Sequence, residues 1–323
     1  MTTNTTKNYN ELKEGEKVPL MYDECMKIMF GNNDRLEPLT LLLSCVLEVR
    51  YENLVGHIEV VPNTLPNKEL GKKKTERDIV VRLESVEKQK IMIEVNLSKK
   101  WYETILNRNI FYMNEVFTSG LEESETYDKI WTTFLINLNT FYTDKEHKKI
   151  FDTYYFRNEE GYILTKKQKI LNINIEKCYQ LWYSKNEIEL KSPYEKDLFY
   201  LCAAMVTKSV DEFEECINMV DTKHSIKEII EEVSKAMNEK DDIKLRYYDF
   251  LDEQRRINDS IISEVKNDGI KEGIKEGILK NKREMILNMY DEKININTIA
   301  KCANLSLEEV LDIINNPNYY NDN

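Results

Sequence analysis

Apolar residues along this chain change their spacing several times, and each change marks a different predicted element. Between Tyr22 and Phe30 the positions Cys25, Met26, Met29 and Phe30 recur at helical intervals, and Gly31-Asn32 provides a stop. A second helix is predicted over Pro38 to Val49, with Pro38 suited to a first turn and Leu39, Leu42, Leu43, Val46 and Leu47 forming one buried face. The pattern then shortens into β-branched runs. His57-Ile-Glu-Val-Val61 ends at Pro62, and Asp78 to Leu83 and Lys90 to Val95 read as two further strands. The charged link from Glu84 to Gln89 is short enough for a hairpin. Trp101 to Phe117 is a long amphipathic helix, and Lys129 to Asn137 is another strand. A helix joining two strands favours a right-handed crossover and a mixed sheet, hence an α/β fold.

Strand-like pieces continue at Thr153 to Arg157 and Lys169 to Ile175, around a turn at Glu160-Gly161. Beyond Glu176 the pattern is almost wholly helical, with Ser192-Pro193 separating two helices. An internal repeat, Gly269-Ile-Lys-Glu-Gly273-Ile-Lys-Glu-Gly277, strips one helical face of side chains. It reads either as a close helix–helix contact or as a flexible linker. After it, Asn297 to Val310 resembles two short helices around a turn, with Ser306 as a cap and Glu309 three residues on. Such a pair is as compatible with packing or protein binding as with reading DNA. The expected organisation is a flexible arm over residues 1–20, an α/β domain over 21–175, a helical region over 176–265, and the Gly-repeat helix with its helical hairpin over 266–323.

Composition narrows the function classes. With 41% apolar and 32% charged residues in 323, the chain has enough apolar material for buried cores and fits roughly two domains. No stretch approaches the ~18 apolar residues of a membrane span, and the polar N-terminus lacks a signal-peptide core, so a cytoplasmic protein without membrane contact is expected. The six cysteines form no C-x-x-C pair, which argues for buried thiols over zinc or disulfides. A net charge of −12 excludes nucleic-acid coating by bulk attraction. From Gly71 to Arg108, however, ten basic side chains stand against six acidic ones, a local excess of about +4. That segment reads either as a place to hold a phosphate backbone or as a solvated Lys-rich loop at Lys72, Lys73 and Lys74.

Phosphodiester hydrolysis needs a hard divalent cation on carboxylate oxygens and a group that positions water. Asp78 opens one predicted strand and Glu94 sits near the end of the next, so a hairpin brings both to one sheet end. Glu94 is flanked by Ile91, Met92, Ile93 and Val95, where a carboxylate is costly to bury unless it is paired or binds metal. A solvated strand face is the alternative. His57, His147 and His224 are isolated and suggest no nucleophilic triad.

These pieces, in order, resemble the Rpn family, also described as PD-(D/E)XK nuclease-family transposases. Asp23-Glu-Cys-Met-Lys27-Ile-Met-Phe30-Gly31 resembles the family's opening D-x-x-F-K-x-x-F-G helix. Arg77-Asp78-Ile-Val-Val resembles its first acidic strand, Ile93-Glu94-Val95-Asn96 its I-E-x-Q strand, and Arg108 with Tyr112 its R-x-x-x-Y helix. The resemblance implies a PD-(D/E)XK, restriction-endonuclease-like core followed by an α-helical C-terminal region, and a DNA endonuclease activity linked to recombination or mobile elements. It implies Mg²⁺ or Mn²⁺ on Asp78, Glu94 and the Val95 carbonyl. Asp23 or Glu24 is a further carboxylate or a helix-start charge. Arg108 is a phosphate contact or a helix-to-sheet salt bridge, and Tyr112 is packing. DNA is the implied partner, with the helical C-terminal half supplying homodimer or DNA contacts.

One departure bears on activity. Where such nucleases carry Lys, or Gln in this family, two residues after the strand acid, this chain has Asn96. Its amide orients water but brings no charge, and Lys99 or Lys100 is the available substitute cation. The competing reading is a nuclease-derived fold that binds DNA or a protein partner without cutting.

Overall fold

The computed structural model describes residues 12–62, 78–84, 88–97, 102–119, 126–143, 148–186 and 188–316. The chain divides into two compact units, Met1–Tyr248 and Asp249–Asn323.

The first unit is built on a six-stranded mixed sheet in the order β1-β2-β3-β4-β6-β5. Its strands are β1 (Ile58–Val61), β2 (Ile79–Glu84), β3 (Lys88–Asn96), β4 (Thr132–Asn139), β5 (Phe151–Arg157) and β6 (Ile163–Asn174). The predicted hairpin is present: β2 and β3 pair antiparallel from Ile79↔Ile93 to Glu84↔Lys88. The predicted crossover is present too, because β3 and β4 are parallel and α3 (Tyr102–Thr118) joins them. β4 pairs parallel with β6, and β5 closes the edge antiparallel to β6. The fold is thus α/β with a mixed sheet.

Side chains alternate across a strand, so the register sorts them into two faces. One carries Ile91, Ile93, Phe134, Ile136, Leu138, Leu171 and Ile173, all buried. The other carries Val80, Met92 and Leu135, on which Tyr112, Met113 and Val116 of α3 pack. The β-branched and Leu-rich runs therefore form strands for a packing reason: both faces of the central strands are covered.

The helices α1 (Asp23–Phe30) and α2 (Glu37–Leu47) are joined by α4 (Ile175–Tyr183), α5 (Pro193–Val206), α6 (Val210–Asn218) and α7 (His224–Asn238). α5 packs on α2, and α7 packs on both α1 and α2. Local signals set the helix starts. The Ser192 hydroxyl accepts from Glu195 N at 3.1 Å ahead of Pro193, and the Asn174 side chain accepts from Lys177 N at 2.9 Å. The end of the expected N-terminal arm differs from expectation. Lys17 N donates to Lys208 O at 2.7 Å, Met21 N donates to Met205 O at 2.9 Å, and Val18 is fully buried. The physical reason is that α5 and the turn after it leave backbone carbonyls that an extended segment satisfies.

α8 (Asp241–Asp291) contains the glycine repeat as continuous helix, so the linker reading does not hold. A Cβ at Gly273 or Gly277 would meet nothing within 4 Å, so at these two glycines no close helix contact forms among the described residues. In the second unit, α9 (Ile296–Ala303) and α10 (Leu307–Asn315) close a small core of Ile286, Ile299, Ala300, Ala303 and Val310. The predicted cap at Ser306 is a reciprocal capping box with Glu309. Exposed Glu308, Glu309 and Asp312 on α10 face solvent, a charge that opposes insertion into a DNA groove.

Candidate active site

One residue before the first β2–β3 pair, Ile79↔Ile93, Asp78 meets Glu94 at the end of the hairpin. Asp78 Oδ2 accepts from Val95 N at 2.7 Å, and Glu94 Oε1 accepts from Asp78 N at 3.4 Å. Each carboxylate is thus tied to the other residue's strand, which fixes their relative position. Glu94 is 1% exposed, so the solvated-face alternative is excluded. A carboxylate this deep needs compensation. Part of it comes from α3, where Arg108 lies 3.4 Å from Glu94 Oε2. Arg108 therefore makes the helix-to-sheet salt bridge, and its guanidinium also lies over the Tyr112 ring at 5.8 Å. Tyr112 is a packing residue.

Asn96 occupies the sheet face of Glu94 but holds other protein groups. Its Nδ2 donates to Asn139 Oδ1 at 2.9 Å, and its Oδ1 accepts from Arg108 at 3.1 Å. From Arg108 a chain of amides runs across the sheet. Arg108 Nε donates to Asn109 Oδ1 at 3.0 Å and Asn109 Nδ2 to Asn137 Oδ1 at 2.9 Å. Asn137 Nδ2 then donates to Asn172 Oδ1 at 2.8 Å, and Asn172 Nδ2 to Thr143 Oγ1 at 3.2 Å. These amides were not singled out from the sequence. The signal is nonetheless present as three strands ending alike, in Glu94-Val-Asn96, Asn137-Leu-Asn139 and Asn172-Ile-Asn174. Period two puts all six side chains on one face, and the parallel register aligns them in two rows.

α1 supplies the remaining charges. Burial pushes the Asp78 carboxyl up to about 6; the Val95 amide opposes that shift, Asp23 adds to it, and Lys27 and Arg108 pull it down. Asp23 and Lys27 thus both act on Asp78 through their charges, and Lys27 Nζ lies 2.8 Å from Asp23 Oδ2. Among the described residues, Asp23 Oδ1 is buried without a hydrogen-bond partner. Glu24 points elsewhere and pairs with Arg246 of α8. Between the two acids considered from sequence, only Asp23 belongs to this cluster. Lys27, one turn after Asp23 on α1, carries no role in the sequence reading, and its charge lowers the Asp78 pKa. Lys99, Lys100, Arg77, the Lys72–Lys74 run and His147 lie outside the described residues.

Hard oxygen donors dominate this end of the sheet. Among the described residues, no three His, Cys, Asp or Glu groups converge into a complete metal cage. Two facing carboxylates with an orphaned third oxygen nearby still fit Mg²⁺, which keeps several waters and takes one or two protein carboxylates, and fit Ca²⁺ or zinc cages poorly. Among the described residues, no helix is long and apolar enough to cross a membrane. All six cysteines are free, five of them buried.

No curated protein and no solved structure matches the chain. A family model does: the model of the PD-(D/E)XK nuclease family transposases covers residues 20–260, from the start of α1 into α8 and across every element of the carboxylate site. With an acidic hairpin, a mixed sheet and a basic residue on the crossover helix all inside that match, the chain belongs to the PD-(D/E)XK nuclease family transposases.

Proposed function

We propose that this protein is a divalent-metal-dependent DNA endonuclease, with Asp78, Glu94 and the Val95 carbonyl holding Mg²⁺ or Mn²⁺ and Asp23 as an outer carboxylate. The observation that carries the reading is that Asp78 and Glu94 are hydrogen-bonded across the hairpin at one sheet end, with Glu94 buried and Asp78 half-buried. A bound cation there supplies Lewis acidity toward a phosphate oxygen and lowers the pKa of water. The chain's own residues do the rest. Arg108 offsets the Glu94 charge and holds α3 on the sheet. Asn96, with both amide ends engaged, acts as a strut for Arg108 and Asn139 instead of orienting water. The cation that the strand itself lacks is supplied by Lys27, whose ammonium acts on Asp78 from α1.

Nicking of supercoiled plasmid is the direct test. Purified protein is expected to nick in Mg²⁺ or Mn²⁺, to stop in EDTA and to recover when metal is restored. A protein that never nicks in either metal, with Asp78→Ala silent in cells, ends the enzyme reading. In that case the non-cutting DNA-binding alternative, which Asn96 favours, takes its place. Lys27→Met is expected to lower the nicking rate by about a hundredfold, the scale of one preorganised charge at a transition state, with DNA affinity in Ca²⁺ retained. An unchanged rate would return the charge role to Lys99 or Lys100.

A further inference from the structure

At the end of β3 where the strand begins, away from Glu94, a groove of about 1220 Å³ opens beside the starts of β3 and β4 and the β5–β6 hairpin. Lys88, Lys129, Arg157, Lys166, Lys167 and Lys169 line it, and no Asp or Glu does so among the described residues. Among the described lining residues the bases thus gather against the chain's overall balance of 58 acids to 46 bases. On the adjoining side of the same strand ends, Arg82, Lys88 and Lys90 surround the Trp131 ring at 5.8, 5.3 and 5.8 Å. Lys90 is half-buried and donates to Val116 O and Ser119 Oγ, each at 3.3 Å, and burial, then the Arg82 charge, lower its pKa. Arg82 is already paired with Glu59 at 3.0 Å, so of the three cations around Trp131 it is Lys88 that belongs to the groove.

We propose that this groove binds the phosphodiester backbone of a nucleic-acid strand at a site separate from the Asp78–Glu94 carboxylates. Six strand positions separate Lys88 from Glu94, about 20 Å at ~3.3 Å per residue. Gln89 and Thr132 face the opposite side of the sheet from Glu94, and Lys88, on the same side as Glu94, is kept apart from it by that length of strand. The backbone held in the groove is therefore a different stretch from the one at the carboxylates. A small anion would satisfy two or three cations, whereas bases spread over the ends of β3, β5 and β6, Lys88, Arg157, Lys166 and Lys167, match a polyanion. Trp131 and Tyr155 line the groove among the bases, the combination that suits stacking of unpaired bases beside a tracked backbone. The inference rests on the nuclease reading only for the identity of the polyanion.

Lys88, Arg157 and Lys166 are exposed, so their replacement leaves the core intact. Fluorescence anisotropy with the full chain in EDTA, on labelled single-stranded and duplex oligonucleotides across a salt series, tests the proposal. K88E/R157E/K166E is expected to weaken binding at least about tenfold and to make the log–log salt slope shallower by about 2 to 3, the value for three phosphate contacts. K88Q/R157Q/K166Q is expected to give a smaller loss of the same sign. A loss on either the single strand or the duplex supports the groove; affinity and slope unchanged on both overturn it. If wild-type protein fails to nick but the affinity loss remains, the endonuclease reading falls and the groove stands.

Discussion

Replacing Asp78 by asparagine is expected to abolish nicking while stabilising the metal-free fold. The first effect follows from removing one of two facing carboxylates, and a loss of at least about a thousandfold is expected when such a ligand is removed from a metal-assisted hydrolysis. The second follows from the raised Asp78 pKa. The ordinary value is 3.8 and the folded value is about 6. Below the unfolded value the carboxyl is protonated in both states, and its tighter proton binding in the fold contributes fully to stability. As pH rises through about 6 that contribution is lost, because the buried group must ionise against its surroundings. Roughly two units at 1.36 kcal/mol each make the ionised group cost about 3 kcal/mol at neutral pH. Asp78→Asn avoids that cost. Urea denaturation in EDTA should show the variant more stable than wild type at pH 7 and nearly equal to it at pH 4. Equal stability at both would remove the electrostatic account of the site. The same linkage makes cation loading proton-coupled, so affinity for Mn²⁺ should fall as pH drops below about 6.

The second large effect lies in the amide chain behind the carboxylates. Asn137 accepts from Asn109 and donates to Asn172, so Asn137→Leu strands one buried donor and one buried acceptor. At about 1 to 3 kcal/mol for each unsatisfied group, a destabilisation of about 2 to 6 kcal/mol is expected. Leucine is close in size, so the loss reports hydrogen bonding and not a cavity. Asn109 also accepts from Arg108 Nε, and the variant should therefore lose nicking activity beyond its loss of stability. A fully folded, equally stable Asn137→Leu protein would show that the chain of amides is not under tension from burial.

Much of this architecture was readable along the chain. Alternation and β-branching marked β2 and β3, the charged link marked their hairpin, and Ser306 with Glu309 marked a helix start, because each depends on neighbours within a few residues. Bounds moved by a few residues where pairing extended the strands, as in β6, which begins at Ile163 because β5 continues to pair with it. The end of the N-terminal segment departs from expectation for the opposite reason, while residues 1–11 lie outside the described residues. Its polarity suggests an arm, and contacts with residues 205–210 and with Asn238 of α7 make Val18 a core residue.

The carboxylates divide in the same way. The sequence by itself determined that Asp78 and Glu94 sit on adjacent strands, since period and hairpin length suffice to put them at one sheet end. Only the tertiary structure decided what surrounds them. It buried Glu94, engaged both amide ends of Asn96, paired Asp23 with Lys27 and Glu24 with Arg246, and brought Arg108 of α3 to Glu94. Those outcomes depend on how helices seat on a sheet face, a long-range packing choice that local periodicity does not encode.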